Sequence, residues 1–141
     1  MDQGLTIRQV SEVTGVTAHT LRYYERIGLV RGVPRARSGH RRYREEDVTW
    51  LVFLRRMQQT GMPIRRLQEY AALRRKGDLT SPRRRHILEE HRQDVLKRIG
   101  ELTSNLAIIE KKIAMYEQAE AAAGKVIAPP ERRSAASARA R

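Results

Sequence analysis

Thr17, His19, Thr20 and Arg22 fall within six residues and combine hydroxyls, an imidazole and a guanidinium, the groups that read base edges and phosphates. Shortly downstream, Arg31, Arg35, Arg37, Arg41 and Arg42 surround Gly32, Pro34 and Gly39, and the stretch ends at Tyr43. A backbone rich in breakers with cations along it can follow a phosphate chain, supplying affinity and salt dependence but no sequence information. The same two segments also fit an amphipathic helix with a solvated polar face and a solvated basic loop. Spacing alone leaves both descriptions open.

Other chemistries find little support. The chain has no Cys, which removes disulfides, thiolate metal sites, iron–sulfur clusters and cysteine nucleophiles together. The histidines are His19, His40, His86 and His91. His86 and Glu90 lie four apart with His91 adjacent, a pattern common on solvated helices, so no metal and no cofactor are expected. No Gly-rich phosphate loop, serine elbow or apolar pair of carboxylates is present, so no enzyme is expected.

The charge balance points the same way as the first motif. The 141 residues carry 29 Lys and Arg against 16 Asp and Glu, a net charge of +13, and such a field favours polyanionic partners. Residues 1–77 hold 16 basic and 7 acidic side chains, residues 78–123 hold 8 of each, and residues 124–141 hold 5 and 1. A basic head, a charge-balanced segment and a basic tail follow. The tail has Pro129-Pro130 and few large apolar side chains, and is expected to be disordered. No apolar run is long enough to span a membrane and the start lacks a signal-peptide pattern, so a cytoplasmic protein without a membrane partner is expected.

The elements that must position these residues are legible from caps and periodicity. Thr6 with Gln9 is a capping-box pattern that opens a helix over 7–14, Gly15 closes it, and Thr17 caps a second helix starting at Ala18. Leu21 and Tyr24 should face the core, so the spacing is that of a helix-turn-helix. The arginine-rich stretch reads as a two-stranded basic wing or loop. Glu45-Glu46-Asp47 opens a third helix with a stripe of Val48, Leu51, Val52, Leu54 and Met57. Pro63 precedes a fourth, carrying Ile64, Leu67, Tyr70, Ala71 and Leu73 toward Gly77.

Beyond Ser81-Pro82 a helical pattern runs to Gly124, interrupted only by Gly100. Val95, Ile99, Leu102, Leu106, Ile109, Ile113 and Tyr116 are separated by alternating steps of four and three, a heptad seam. Such a helix would be about 63 Å long, too long to bury its stripe on so small a head. A partner helix is required, most simply from a second copy of the chain.

The run Thr6-Ile7, Val10, Gly15-Val16-Thr17, Thr20-Leu21-Arg22-Tyr23-Tyr24-Glu25 and Gly28-Leu29, followed by Gly39-His40-Arg41-Arg42-Tyr43 and Asp47-Val48, closely resembles the MerR family of transcription regulators. The resemblance continues through Thr60-Gly61-Met62-Pro63-Ile64 and covers about residues 5–118. It implies a mainly α fold: a winged helix-turn-helix head joined to an antiparallel coiled coil, forming a homodimer on a pseudo-palindromic operator in double-stranded promoter DNA. It further implies regulation by bending and untwisting that DNA, so that RNA polymerase is engaged indirectly, through the promoter. Carried over onto this chain, the recognition helix contributes Thr17, His19, Thr20, Arg22 and Tyr23, and the wing contributes Arg41 and Tyr43.

Departures from the family pattern narrow the expectations. His40 stands where many members have Tyr or Phe, and Arg44 where a capping Ser is often found. The Thr-Gly-Met-Pro-Ile segment most resembles the aldehyde and thiol-stress branch, whose members sense with a cysteine. This chain has none, so thiol, metal-thiolate and iron–sulfur sensing are excluded, and the resemblance leaves open an effector small molecule of unknown identity. No large C-terminal ligand-binding domain is expected. The rival readings are a non-specific architectural DNA-binding protein of the nucleoid type and a small-molecule-binding module.

Overall fold

The protein is described over residues 4–124 in a computed structural model. Among these residues the elements are α1 (Ile7–Thr14), α2 (Ala18–Arg26), α3 (Glu45–Gln59), α4 (Ile64–Arg75), a 3₁₀ turn (Asp78–Thr80) and α5 (Ser81–Ala122). The expected basic tail beyond Gly124 lies outside the described residues. The chain divides into two units, one ending at Lys97 and the other beginning at Arg98.

Local chemistry explains where each helix of the first unit begins. Thr6 Oγ1 accepts from the Gln9 N–H at 3.2 Å while Gln9 Oε1 accepts from the Thr6 N–H at 2.8 Å, so both halves of the capping box form. Gly15, at φ 74°, ends α1 in the left-handed region. Arg55 Nη1 donates to the Thr14 carbonyl at 3.0 Å, so this turn is closed from α3, and the positive φ at Gly15 is what disfavours a side chain there. Thr17 caps α2 through the Thr20 N–H at 3.1 Å. Arg44 has no acceptor to offer at the start of α3, and the cap works in reverse: the Asp47 carboxylate accepts from the Arg44 N–H at 2.8 Å.

One core joins these helices. Val10, Val16, Leu21, Tyr24, Leu51, Leu54 and Leu67 are buried, with Leu29, Val30, Ala71 and Leu73 around them. Val48, Met57, Ile64 and Tyr70 of the expected stripes pack only partly buried against that core. Trp50 is buried and donates its indole N–H to the Leu29 carbonyl at 2.7 Å, while its ring stacks on Phe53 and Tyr70. Ile87 plugs the opening of α5 into the same core.

Two isolated antiparallel bridges, and no strands among the described residues, form the wing: Leu5 with Tyr43 and Arg35 with Arg41. The expected two-stranded wing is thus a tight hairpin turn. Ala36 accepts from the Gly39 N–H at 2.9 Å and donates its own N–H to His40 at 2.8 Å, with Gly39 at φ 85° supplying the left-handed step. In the second unit Ile99, Leu102, Leu106, Ile109, Ile113 and Tyr116 are each at least half exposed, while Val95, in the first, is half-buried.

Candidate nucleic-acid interface

α2 presents its N-terminal half outward. Thr17, His19 and Arg22 are exposed, and the three-residue spacing of the last two places them on one helix face. Thr20 is half-buried, and its Oγ1 accepts from the Thr17 hydroxyl at 2.9 Å, so these two hydroxyls are engaged in starting the helix. Tyr23 is half-buried with the Arg26 guanidinium 5.5 Å above its ring.

The wing brings its arginines back to this helix. Arg22 shares a recess of about 450 Å³ with Arg35, His40, Arg41 and Arg42, bordered by Thr6 and Ile7 at the start of α1. Guanidiniums from a helix and from the wing thus converge where a phosphate chain could lie. Arg35 is exposed and caps the wing turn through its Nη1 bond to the Gly39 carbonyl at 3.1 Å. Arg42 is half-buried, and its backbone N–H donates to Pro34 at 2.7 Å.

One expected contact is placed differently, and a second is also paired within the protein. Tyr43 is 1% exposed and belongs to the core, so its side chain is no surface contact; its hydroxyl donates to Glu25 Oε1 at 3.3 Å. Arg41 is half-buried because its Nε pairs with Glu25 Oε2 at 2.7 Å. Glu25, which the sequence reading did not single out, holds both wing residues against the end of α2. Its place in the Arg-Tyr-Tyr-Glu run was the available signal, but its partners lie 16 and 18 positions away and only the fold reveals them.

Burial and the neighbouring Glu25 carboxylate push the Tyr43 phenol up to about 12. The neutral phenol is the form the fold favours. Its contribution is therefore complete below the unfolded value of about 10 and is lost as pH climbs from there to about 12. Unfolding free energies measured across that window should fall more steeply for the wild type than for Tyr43→Phe, by about 3 kcal/mol in total. Parallel curves would show that Tyr43 is not the titrating group.

Among the described residues no group of three or more His, Asp or Glu side chains could hold a metal ion. His86 Nε2 pairs with Glu90 Oε1 at 2.7 Å, and Glu90 also pairs with Arg66. No helix among the described residues is long and apolar enough to cross a membrane.

Comparison with known proteins agrees with this geometry. Residues 5–74 match the MerR HTH family regulatory protein pattern, and residues 48–112 match the pattern described as MerR, DNA binding. The HTH-type transcriptional regulator AdhR of Bacillus subtilis is 44% identical over 93 residues, which cover 66% of this chain and 66% of that regulator's length. An HTH-type transcriptional regulator of Haemophilus influenzae is 34% identical over 116 residues, 82% of this chain and 86% of its own. The crystal structure of HiNmlR, a MerR family regulator lacking the sensor domain and bound to promoter DNA, superposes with a TM-score of 0.75 at 33% identity, covering 84% of this chain and 94% of that one. The fold and the site define a helix-turn-helix DNA-binding transcription regulator. The chain belongs to the MerR family.

Proposed function

We propose that the chain acts as a homodimer that binds a two-part promoter site in double-stranded DNA and controls transcription by bending and untwisting it, so that RNA polymerase is engaged through the DNA. In this reading residues 1–77 read DNA, residues 78–123 pair the two copies, and the chain works by binding without catalysis, in the cytoplasm. The observation that carries the reading is the convergence of Arg22 with Arg35, Arg41 and Arg42 on one recess. His19, on the same helix face as Arg22, supplies a group that reads bases, with Thr17 and Tyr23 beside it. Deformation of the duplex between two fixed contacts is indirect readout used as a switch.

Footprinting of the purified protein on genomic fragments tests the reading. Discrete protected sites at promoters are expected, whereas uniform protection along the DNA would mark an architectural protein and overturn it. Four converging arginines per head, doubled in a dimer, predict a plot of log affinity against log salt with a slope of about −7. That corresponds to a loss of about four orders of magnitude between 50 and 200 mM salt. A slope near zero would remove the phosphate-binding role of the recess. Diamide, N-ethylmaleimide and EDTA should each leave affinity and promoter output unchanged, because there is no cysteine and no clustered metal ligands among the described residues. A loss with EDTA that one metal restores would point back to His86, Glu90 and His91.

A further inference from the structure

Arg75 closes α4, and its Nη1 donates at 2.9 Å to the carbonyl of Gly28, just past the end of α2. Arg31 lies against the same glycine, its Nη2 3.1 Å from where a Gly28 Cβ would stand. The next residue, Leu29, accepts from the Trp50 indole, and the Arg74 guanidinium lies over that ring, 4.3 Å from its centre. Three guanidiniums, one from the turn after α2 and two from the end of α4, thus gather around Gly28-Leu29.

All three arginines are exposed, and among the described residues none of them pairs with a carboxylate. Desolvation, and then the charge of Arg31, hold the Arg75 guanidinium below its ordinary value. Like charges held together raise the local potential, which favours a polyanion. The two arginines of α4 are fixed in place: Arg75 spends one of its five N–H donors on Gly28, and Arg74 spends its flat face on Trp50. Donors left over on such anchored guanidiniums suit phosphate oxygens.

This group is continuous with the recess beside α2. Arg31 lines a second recess, of about 280 Å³, together with Glu25, Arg35 and Arg41, and Arg35 and Arg41 also line the first with Arg22. Glu25 is the carboxylate of the second recess and is already paired with Arg41. A cationic track therefore runs from α2 through the wing to the end of α4. The nine residues of α2 make it about 14 Å long, so Gly28 stands about four base-pair steps from Thr17. Cations leading out of one DNA site fit further phosphates of the same duplex better than a separate acidic protein.

We propose that Arg31, Arg74 and Arg75 form a second phosphate-binding surface that holds the duplex flanking each half-site, beyond the base pairs that α2 reads. The proposal rests on the reading of the first recess as a DNA site.

The test uses the full chain and one site defined by footprinting. That site is placed in a short duplex ending at its outer edges, and in a long one with a further helical turn of about ten base pairs on each side. Arg31 and Arg75, doubled in a dimer, add up to four phosphate contacts, so the salt slope should be steeper on the long duplex by about 3–4 and the affinity about tenfold higher. Arg31→Gln with Arg75→Gln should cut that gain below about threefold and leave binding to the short duplex unchanged, with folding checked by circular dichroism. Arg31→Lys with Arg75→Lys keeps the charges and should keep most of the gain. Arg83→Gln removes an exposed arginine away from the track and should leave the gain as in wild type. Equal losses on both duplexes would mean that the arginines serve the site itself or the fold, and would overturn the proposal. A comparable loss of the gain in Arg83→Gln would do so too, since net charge alone would then be read. An unchanged gain in the folded Gln double variant would also overturn it, and a loss of promoter output in that variant would assign the patch to an acidic protein surface instead. Failure of the underlying reading looks different: the wild type would protect no discrete site from which a short duplex could be made, and the proposal would fall with it.

Discussion

Aspartate at both Leu102 and Ile109 is expected to turn the protein into a monomer that binds a full site no better than a half-site. Leu102 is 65% exposed and Ile109 is 55% exposed in the isolated chain, within a stripe that also holds Ile99, Leu106, Ile113 and Tyr116. Polar surroundings do not keep such a stripe in water when a second copy can cover it. Burying one Leu or Ile is worth about 1.5–3 kcal/mol, and in a two-fold dimer every substitution acts twice. Four carboxylates in an apolar seam would add a desolvation penalty. Losing the linked second head removes an avidity gain of about 10²–10⁴. The helical signal of the segment after Lys97 should weaken too, since an isolated helix carrying Gly100 is marginal in water. Sedimentation and titration on full and half sites check the outcome, and a double variant that stays dimeric and binds as wild type would mean that the long helix pairs by some other face.

How far such features were legible in the sequence depended on whether their physics is local. Thr6 with Gln9, Thr17 and Gly15 act within four residues of themselves, and each bounds a helix where its side chain or backbone requires. The heptad seam is likewise a matter of spacing along one helix. Contacts between distant segments were not legible. Trp50 lay outside the expected stripe of α3, yet it is buried because the Leu29 carbonyl, Phe53 and Tyr70 surround it. His91 looked like a polar position on a solvated helix until Thr60, 31 residues earlier, was found against it. Near its start α5 buries Ile87 and His91, while Ile99 and Leu102 farther along are at least half exposed. A periodicity along one helix does not tell which turns of it are covered by the rest of the chain. Tyr43 shows the converse error, for a residue that resemblance places at a DNA interface can serve it from the core by fixing the wing.

That placement sharpens what removal of each arginine should do. Arg22 is exposed on α2, so Arg22→Ala should weaken binding to a selected site by about 1–3 kcal/mol with no change in thermal stability. Arg41 is different, because it pairs with Glu25 at 2.7 Å and lines both the recess that holds Arg22 and a separate one that holds Glu25. Arg41→Ala should remove a phosphate partner and also leave the Glu25 carboxylate without its cation at the foot of the wing. Its loss should therefore reach the upper end of the same range, and the salt slope should become shallower by about one per site removed. Adding Glu25→Gln to the Arg41→Ala protein takes away that unpaired charge, so the double variant should bind more tightly than Arg41→Ala alone. A double-mutant cycle on one operator measures the coupling, with folding checked by circular dichroism. Folded Arg22→Ala and Arg41→Ala proteins that bind as wild type would remove both residues from the interface. A cycle with no coupling would show that Arg41 meets DNA independently of the clamp, and that Glu25 serves only Tyr43.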